Sequence, residues 1–355
     1  MDKRVRTIIG TWLAIGCVMV FFQVIIGGVT RLTGSGLSIT KWDIVTGVIP
    51  PLNHEKWEAA FEQYKNTPQY QQINQDMQLN EFQFIYFWEY FHRLWARTMG
   101  LVFLIPFLYF YSKKWLPRDL LFKLGIVVLW GGLIGLLGWI MVASGLDKRP
   151  YVAPIKLTIH LTPAMCLLGY LGYLTLYVFF GTKKKVAAPP STLKMIKAVL
   201  LFLIVQLFLG GIVSGMKAGL AFPTWPTMNG EWVPDVLFHG EKTLDGITQF
   251  SFQATWGQAL IQLLHRSVAY LLIAAIFFFF YKNYRLQGDA MWNWSLKLYP
   301  VTVCLQALIG IITVTNCIGH IPVFYGVLHQ AGAMLLLMHT ILLWFQLPSK
   351  NMESA

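Results

Sequence analysis

The sequence predicts an all-α membrane protein of eight transmembrane helices, arranged as two parallel-repeat four-helix bundles related by a pseudo-twofold axis along the membrane normal. Three observations carry this. The 355 residues are 56% hydrophobic and only 12% charged, with a mean hydropathy of +0.54, which is not the composition of a soluble globular chain. Apolar runs of about 20 residues, each long enough to cross a bilayer, recur along the whole length. The second half of the chain also repeats the first.

The runs fall near residues 8–29, 83–111, 122–143, 155–180, 194–216, 254–281, 297–315 and 323–346. The first follows Met-Asp-Lys-Arg-Val-Arg. It is too long for the apolar core of a signal peptide, and no small-residue cleavage pattern follows it, so it reads as a retained span. No Arg- and Ser-rich transit segment precedes it. The expected location is therefore a bacterial cytoplasmic membrane, ahead of a mitochondrial inner membrane. Spans 1 and 2 are joined by a loop of about 50 residues, and spans 5 and 6 by one of about 40; loops of this length usually carry function or docking. Within the first, Trp57, Ala60, Phe61 and Tyr64 follow helical spacing and predict a short helix over the outer surface.

The formal net charge of +12 raises the question of nucleic acid. Its distribution answers it. Lys3, Arg4, Arg6, Lys113, Lys114, Arg118, Lys183, Lys184, Lys185, Lys282 and Arg285 all lie on one side of the eight-span topology, which the positive-inside rule makes cytoplasmic. Both termini are then inside, and no nucleic-acid partner is expected. Asp43, Glu55, Glu58, Glu62, Asp76, Glu81, Glu231, Asp235, Glu241 and Asp245 fall on the other side. Cys17, Cys166 and Cys304 lie within spans and only Cys317 reaches the outer side, so no disulfide is expected; with no CxxC or CxxCH, zinc-ribbon and covalent haem-attachment readings fail.

The repeat is ungapped over a long stretch. Gln23, Gly27, Gly28, Gly36, Leu37, Trp42, Gly47 and Pro51 reappear as Gln206, Gly210, Gly211, Gly219, Leu220, Trp225, Gly230 and Pro234. At shorter offsets His92-Arg93 matches His265-Arg266, Gly138 matches Gly310 and His160 matches His329. Each half holds an even number of spans, so the two share one orientation, a parallel repeat. The halves are placed at residues 1–185 and 186–355, and bundles of this kind hold cofactors between facing helices.

The matched pairs His92 with His160 and His265 with His329 sit in the outer halves of spans 2, 4, 6 and 8. His92 is about ten residues into its span, roughly 14 Å at 1.5 Å per residue. Ionisable groups within a membrane point first to function. An interhelical hydrogen bond is the plain alternative for a single histidine, and two equivalent pairs weaken it. Zinc and copper usually take further closely spaced ligands, which these pairs lack. Two axial imidazoles suffice for a six-coordinate haem, so two bis-histidine haems are favoured. His54, His239, His320 and His339 have no repeat partner and read as solvated or packing residues.

Arg93, Arg266 and Arg97 adjoin the histidines, and Arg31 and Lys217 stand at outer span ends. Haem propionates suit them as bidentate anionic partners; snorkelling or an internal carboxylate pair is the alternative. The halves differ at one position: Glu89 precedes His92 by three residues on the same helical face, where His265 has Gln262. A buried carboxylate beside a ligand is costly unless used, so Glu89 is the candidate catalytic residue, the first pair the reacting site and the second an electron-transfer or structural site. A Glu89 salt bridge to Arg93 or Arg97 is the competing reading.

The run Glu81-Phe-Gln-Phe-Ile-Tyr-Phe-Trp-Glu89-Tyr-Phe-His92-Arg93, the loop Thr30-Arg31-Leu-Thr-Gly-Ser-Gly-Leu-Ser38, Met141-Val-Ala-Ser-Gly-Leu146 and Leu157-Thr-Ile-His160-Leu resemble the haem A synthase family, of the mitochondrial and proteobacterial-like type without outer-loop cysteine pairs. The resemblance implies oxidation of the C8 methyl of haem O to a formyl group by successive hydroxylations, giving haem A for cytochrome oxidase. Haem O would bind between His92 and His160 with Glu89 near the reacting edge, and haem b between His265 and His329. Haem O synthase, an unidentified electron acceptor and membrane lipid are the implied partners, and a homo-oligomer is compatible. The competing functions are a di-haem cytochrome b-type quinol-oxidising carrier and a haem transporter or chaperone. The Glu89/Gln262 difference favours the enzyme.

Overall fold

The computed structural model describes residues 1–40, 49–146, 150–181, 186–240 and 254–348. Trp42, Asp43, Gly47, Lys183, Lys184, Lys185, Glu241 and Asp245 lie outside the described residues. Among the described residues, eight helices are long and apolar enough to cross a membrane: α1 (Lys3–Leu32), α4 (Leu79–Ser112), α5 (Arg118–Leu146), α6 (Pro154–Phe180), α7 (Pro190–Gly215), α10 (Trp256–Asn283), α11 (Ala290–Thr315) and α12 (Val323–Phe345). Each contains one of the eight apolar runs almost entirely and extends several of them by a turn or two. Among the described residues there is no strand beyond one isolated bridge, Met228 with Glu231.

Local chemistry sets the ends. Proline occupies the first helical position of α6 and α7, where its missing N–H costs nothing. The Glu81 carboxylate accepts from the Gln78 N–H at the start of α4, and Thr255 with Gln258 forms a reciprocal capping box at the start of α10. Asp289 caps α11 by accepting from the Trp292 N–H.

The packing divides the chain into two compact units, one of residues 18–167 and one of residues 2–17 with 168–355. In the first, Trp95 donates its indole N–H to the Met19 carbonyl and Thr30 its hydroxyl to the Trp88 carbonyl, tying α1 to α4. Two short helices, α2 (His54–Lys65) and α3 (Pro68–Gln72), lie against this unit. The expected helix around Trp57–Tyr64 is α2; the sequence pattern does not mark α3. Phe61, Tyr64, Phe82 and Ile85 form a buried cluster that packs α2 onto the N-terminal end of α4, with Phe61 and Tyr64 stacked on the Phe82 ring.

In the second unit α7 packs against α10 and α12, and α11 packs against the same two, closing a four-helix ring. The short α8 (Ala218–Ala221) and α9 (Val236–His239) lie beside α10. Tyr299 and Thr340 share a buried 2.7 Å hydrogen bond between α11 and α12. This satisfies polar groups that would otherwise be costly inside the ring.

Candidate functional site

Each of the four histidines meets a glycine of the neighbouring helix, and those glycines are the ones that match between the repeats. A Cβ at Gly27 would lie 2.9 Å from His92 Nε2, one at Gly138 would lie 2.9 Å from His160 Cε1, one at Gly210 3.2 Å from His265 Cε1 and one at Gly310 2.8 Å from His329 Cε1. Real Cβ atoms rarely approach so closely, so glycine is what allows each imidazole to lie against a helix backbone. His92 and His160 lie in the first compact unit, and His265 and His329 in the second. All four rings are half-buried. Each pair expected from sequence therefore falls within a single unit, with both of its rings seated on glycines.

Matched glutamines adjoin the ligand candidates. Gln23 donates to the His92 backbone carbonyl at 3.3 Å, and Gln206 Nε2 lies 3.3 Å from His265 Nε2. His160 Nδ1 lies 3.0 Å from the Ile134 carbonyl, a bond that puts its proton on Nδ1 and leaves the Nε2 lone pair for a metal. His265 Nδ1 is buried without a partner among the described residues. Among those residues no group of three or more His, Cys, Asp and Glu side chains can hold a metal ion. The first pair has a fixed tautomer at His160, the second an orphaned ring nitrogen at His265, and both have glycine-lined ring seats; two-imidazole sites of this kind fit a haem iron and do not fit a tetrahedral protein-ligated metal.

Glu89 is only 2% exposed and fully engaged. Its Oε2 accepts from the Ser38 hydroxyl (2.7 Å) and the Ile39 N–H (2.8 Å), and its Oε1 pairs with Arg93 Nη2 at 2.5 Å. Arg93 also donates to the Ile39 carbonyl. The salt bridge weighed from sequence is therefore present, in combination with a grip on the loop that follows α1. The second unit keeps the arginine contact and reverses the polarity of the other. Gln262 Nε2 donates to the Phe222 carbonyl at 2.9 Å, and Phe222 is the repeat counterpart of Ile39. Arg266 donates to the carbonyls of Phe222, Thr224, Pro226 and Thr227. In one unit a carboxylate holds a backbone N–H; in the other an amide holds a backbone carbonyl.

Arg93 and Arg266 thus both reach loop groups. Arg31 sits in the last turn of α1, and Arg97 lies one turn past Arg93 on α4. Gly34, with φ +72°, and its counterpart Lys217, with φ +51°, both take the left-handed conformation that turns the chain out of the preceding helix. The remaining histidines behave as packing or solvated residues. His54 pairs with Glu58 and His239 with Asp235 at exposed sites, His320 bonds the Ile318 carbonyl, and His339 bridges Thr302 and the Ser295 carbonyl. The cysteines are free, and Cys317 is buried with its Sγ against Gly219.

Residues 10–341 match the family described as cytochrome oxidase assembly protein. The chain is 39% identical over 331 residues to a haem A synthase of Flavobacterium psychrophilum, covering 93% of this chain and 95% of the relative. It is 37% identical over 340 residues to a haem A synthase of Flavobacterium johnsoniae, covering 95% and 96%. With a haem A synthase of Methylorubrum extorquens it shares 41% identity over 337 residues, covering 93% and 84%. The chain belongs to the haem A synthase family. Membership accords with its eight spanning helices and sets its place as a multi-pass membrane protein.

Proposed function

We propose that this chain makes haem A by oxidising the C8 methyl of haem O, and that it does so in its first unit. One observation carries the assignment: two equivalent histidine–glycine seats, of which only the first has a carboxylate, Glu89, beside its ligands. The names of the relatives agree with this activity. Haem O is the substrate between His92 and His160, and haem b is the cofactor between His265 and His329. When bound, haem b supplies one-electron transfer. The halves 1–185 and 186–355 are read as a duplication with a pseudo-twofold relation, and both termini as cytoplasmic.

The chemistry balances as methyl plus one water giving formyl plus four protons and four electrons, taken in two two-electron stages through the alcohol. A six-coordinate substrate haem leaves no open iron position for oxygen. Electron removal from the methyl followed by attack of water is therefore the favoured route, with an unidentified electron acceptor taking the electrons. Glu89 stabilises the developing positive charge by its own, and takes a proton from the attacking water. Arg93 keeps the ionised carboxylate paired, and Gly27 and Gly138 let both imidazoles reach the iron. Arg31 and Arg97 are the propionate partners of this reading, with Arg93 and Arg266 shaping the loops above the haem edges.

Expression with haem O synthase followed by pigment extraction tests the assignment. Haem A in the extract is the expected result. Haem b alone would point to a quinol-oxidising carrier, and reversible haem loading without turnover to a transporter. Isotope tracing separates the routes: formyl oxygen from water is expected, and formyl oxygen from O2 sinks the carbocation route.

A further inference from the structure

We propose that Ser38 is a positioning residue for Glu89, holding the carboxylate in both of its protonation states from the first outer loop. The inference rests on the reading of Glu89 as the reacting carboxylate. Ser38 is 2% exposed, and its hydroxyl lies 2.7 Å from Glu89 Oε2. The same oxygen also lies 3.0 Å from the Ser35 carbonyl and 3.3 Å from the Ile85 carbonyl. A hydroxyl has one proton and two lone pairs. With Glu89 ionised, the proton belongs on the carboxylate, because any other orientation sets oxygen lone pairs against a negative charge. Once Glu89 takes a proton on Oε2, it donates to Ser38, and Ser38 turns its own proton to the Ser35 or Ile85 carbonyl. The heavy atoms stay in place. A carboxylate that gains and loses a proton in each stage of oxidation thus keeps its position, with its buried oxygen paired in either state.

The second unit supplies the internal control. The repeat counterpart of Ser38 is Ala221, and that of Glu89 is Gln262. Hydroxyl and carboxylate are present together and missing together. Gln262 is held by the Phe222 carbonyl, a contact that suits an amide that never titrates. The loop that carries Ser38 is itself fixed from outside the spans. Asn74 donates to the Tyr64 hydroxyl, Tyr64 to Gln69 Oε1, and Gln69 Nε2 to the Gly34 carbonyl at the left-handed turn. The α2–α3 cap therefore has a defined task, that of setting the loop four residues before Ser38.

The test uses the full-length, haem-loaded protein with Ser38→Ala and Ser38→Thr. Ser38→Ala is expected to lower the turnover of haem O by about tenfold to a hundredfold, the range for losing a hydrogen bond to a charged group, with KM and haem content near those of the parent. Ser38→Thr, which keeps the hydroxyl, is expected to recover most of that loss. Infrared difference spectra read the bond directly: the carboxylate band that disappears in Glu89→Gln should shift in Ser38→Ala and return in Ser38→Thr. An unshifted band in Ser38→Ala, or equal loss of turnover in both Ser38 variants, overturns the proposal. Full turnover in Glu89→Gln would instead remove the reading of Glu89 on which it rests, whatever the band does.

Discussion

Gly138→Ala should empty the first histidine pair of haem while leaving the fold intact. The added Cβ would stand 2.9 Å from His160 Cε1 and 3.2 Å from its Nδ1. Ordinary carbon contacts lie near 3.5–4.0 Å, so the ring must retreat by about half an ångström or more. The retreat also strains the 3.0 Å bond from His160 Nδ1 to the Ile134 carbonyl, which sets the ring's tautomer. Overpacking of this kind costs about 1–3 kcal/mol, or roughly five- to 150-fold in haem affinity. Helix propensity works the other way, since alanine is favoured over glycine within a helix by about 1 kcal/mol, so lost haem cannot be attributed to a weakened α5. Gly135→Ala on the same helix is the control, because its Cβ meets nothing within 4 Å. The assay is haem per protein by pyridine haemochrome, with the reduced-minus-oxidised spectrum of the purified protein. Loss of one haem in Gly138→Ala, with full content in Gly135→Ala, is expected, and Gly310→Ala should remove the other haem by the same contact with His329. Full occupancy in Gly138→Ala would refute the idea that the glycine seats the ligand.

Gln262→Glu places a second acceptor against the Phe222 carbonyl, which Gln262 Nε2 now satisfies; thermal unfolding should show a loss of about 1–3 kcal/mol, and unchanged stability would contradict the polarity difference between the units. Burial, opposed by the Asn74 hydrogen bond and supported by the Glu89 charge, pushes the Tyr64 phenol up to about 12. The group is an acid whose folded pKa is raised, so its contribution is complete below about pH 10 and is lost as pH rises towards 12. Tyr64→Phe should flatten that alkaline decline in α2–α3 stability, measured by hydrogen exchange of the cap. Burial pushes the Cys317 thiol up to about 11, so maleimide at neutral pH should label it only after unfolding; rapid labelling of the native protein would contradict the packing against Gly219.

The spans were legible because length and apolarity alone decide them, and each observed helix contains nearly all of its apolar run. Helix α2 was legible for a different reason, the spacing of Trp57, Ala60, Phe61 and Tyr64 that buries one face on Phe82. The five residues of α3 carry no such period. The four ligand candidates and their glycines were visible through the repeat, but the reason for the glycines, ring contact, exists only in the folded chain. The loop grip was hidden because Glu89, Arg93, Gln262 and Arg266 act largely on backbone N–H and carbonyl groups, which no residue letter records. Ser38 did leave a trace. Aligning the repeat sets it opposite Ala221 just as it sets Glu89 opposite Gln262, and that paired difference marks the residue before any distance is known.

The central claim is that both units hold haem and only the first reacts. Its most direct test is the identity of the haems bound to purified Glu89→Gln produced together with haem O synthase. Haem b and unreacted haem O in comparable amounts, with no haem A, are expected. Haem A bound to that variant would contradict it.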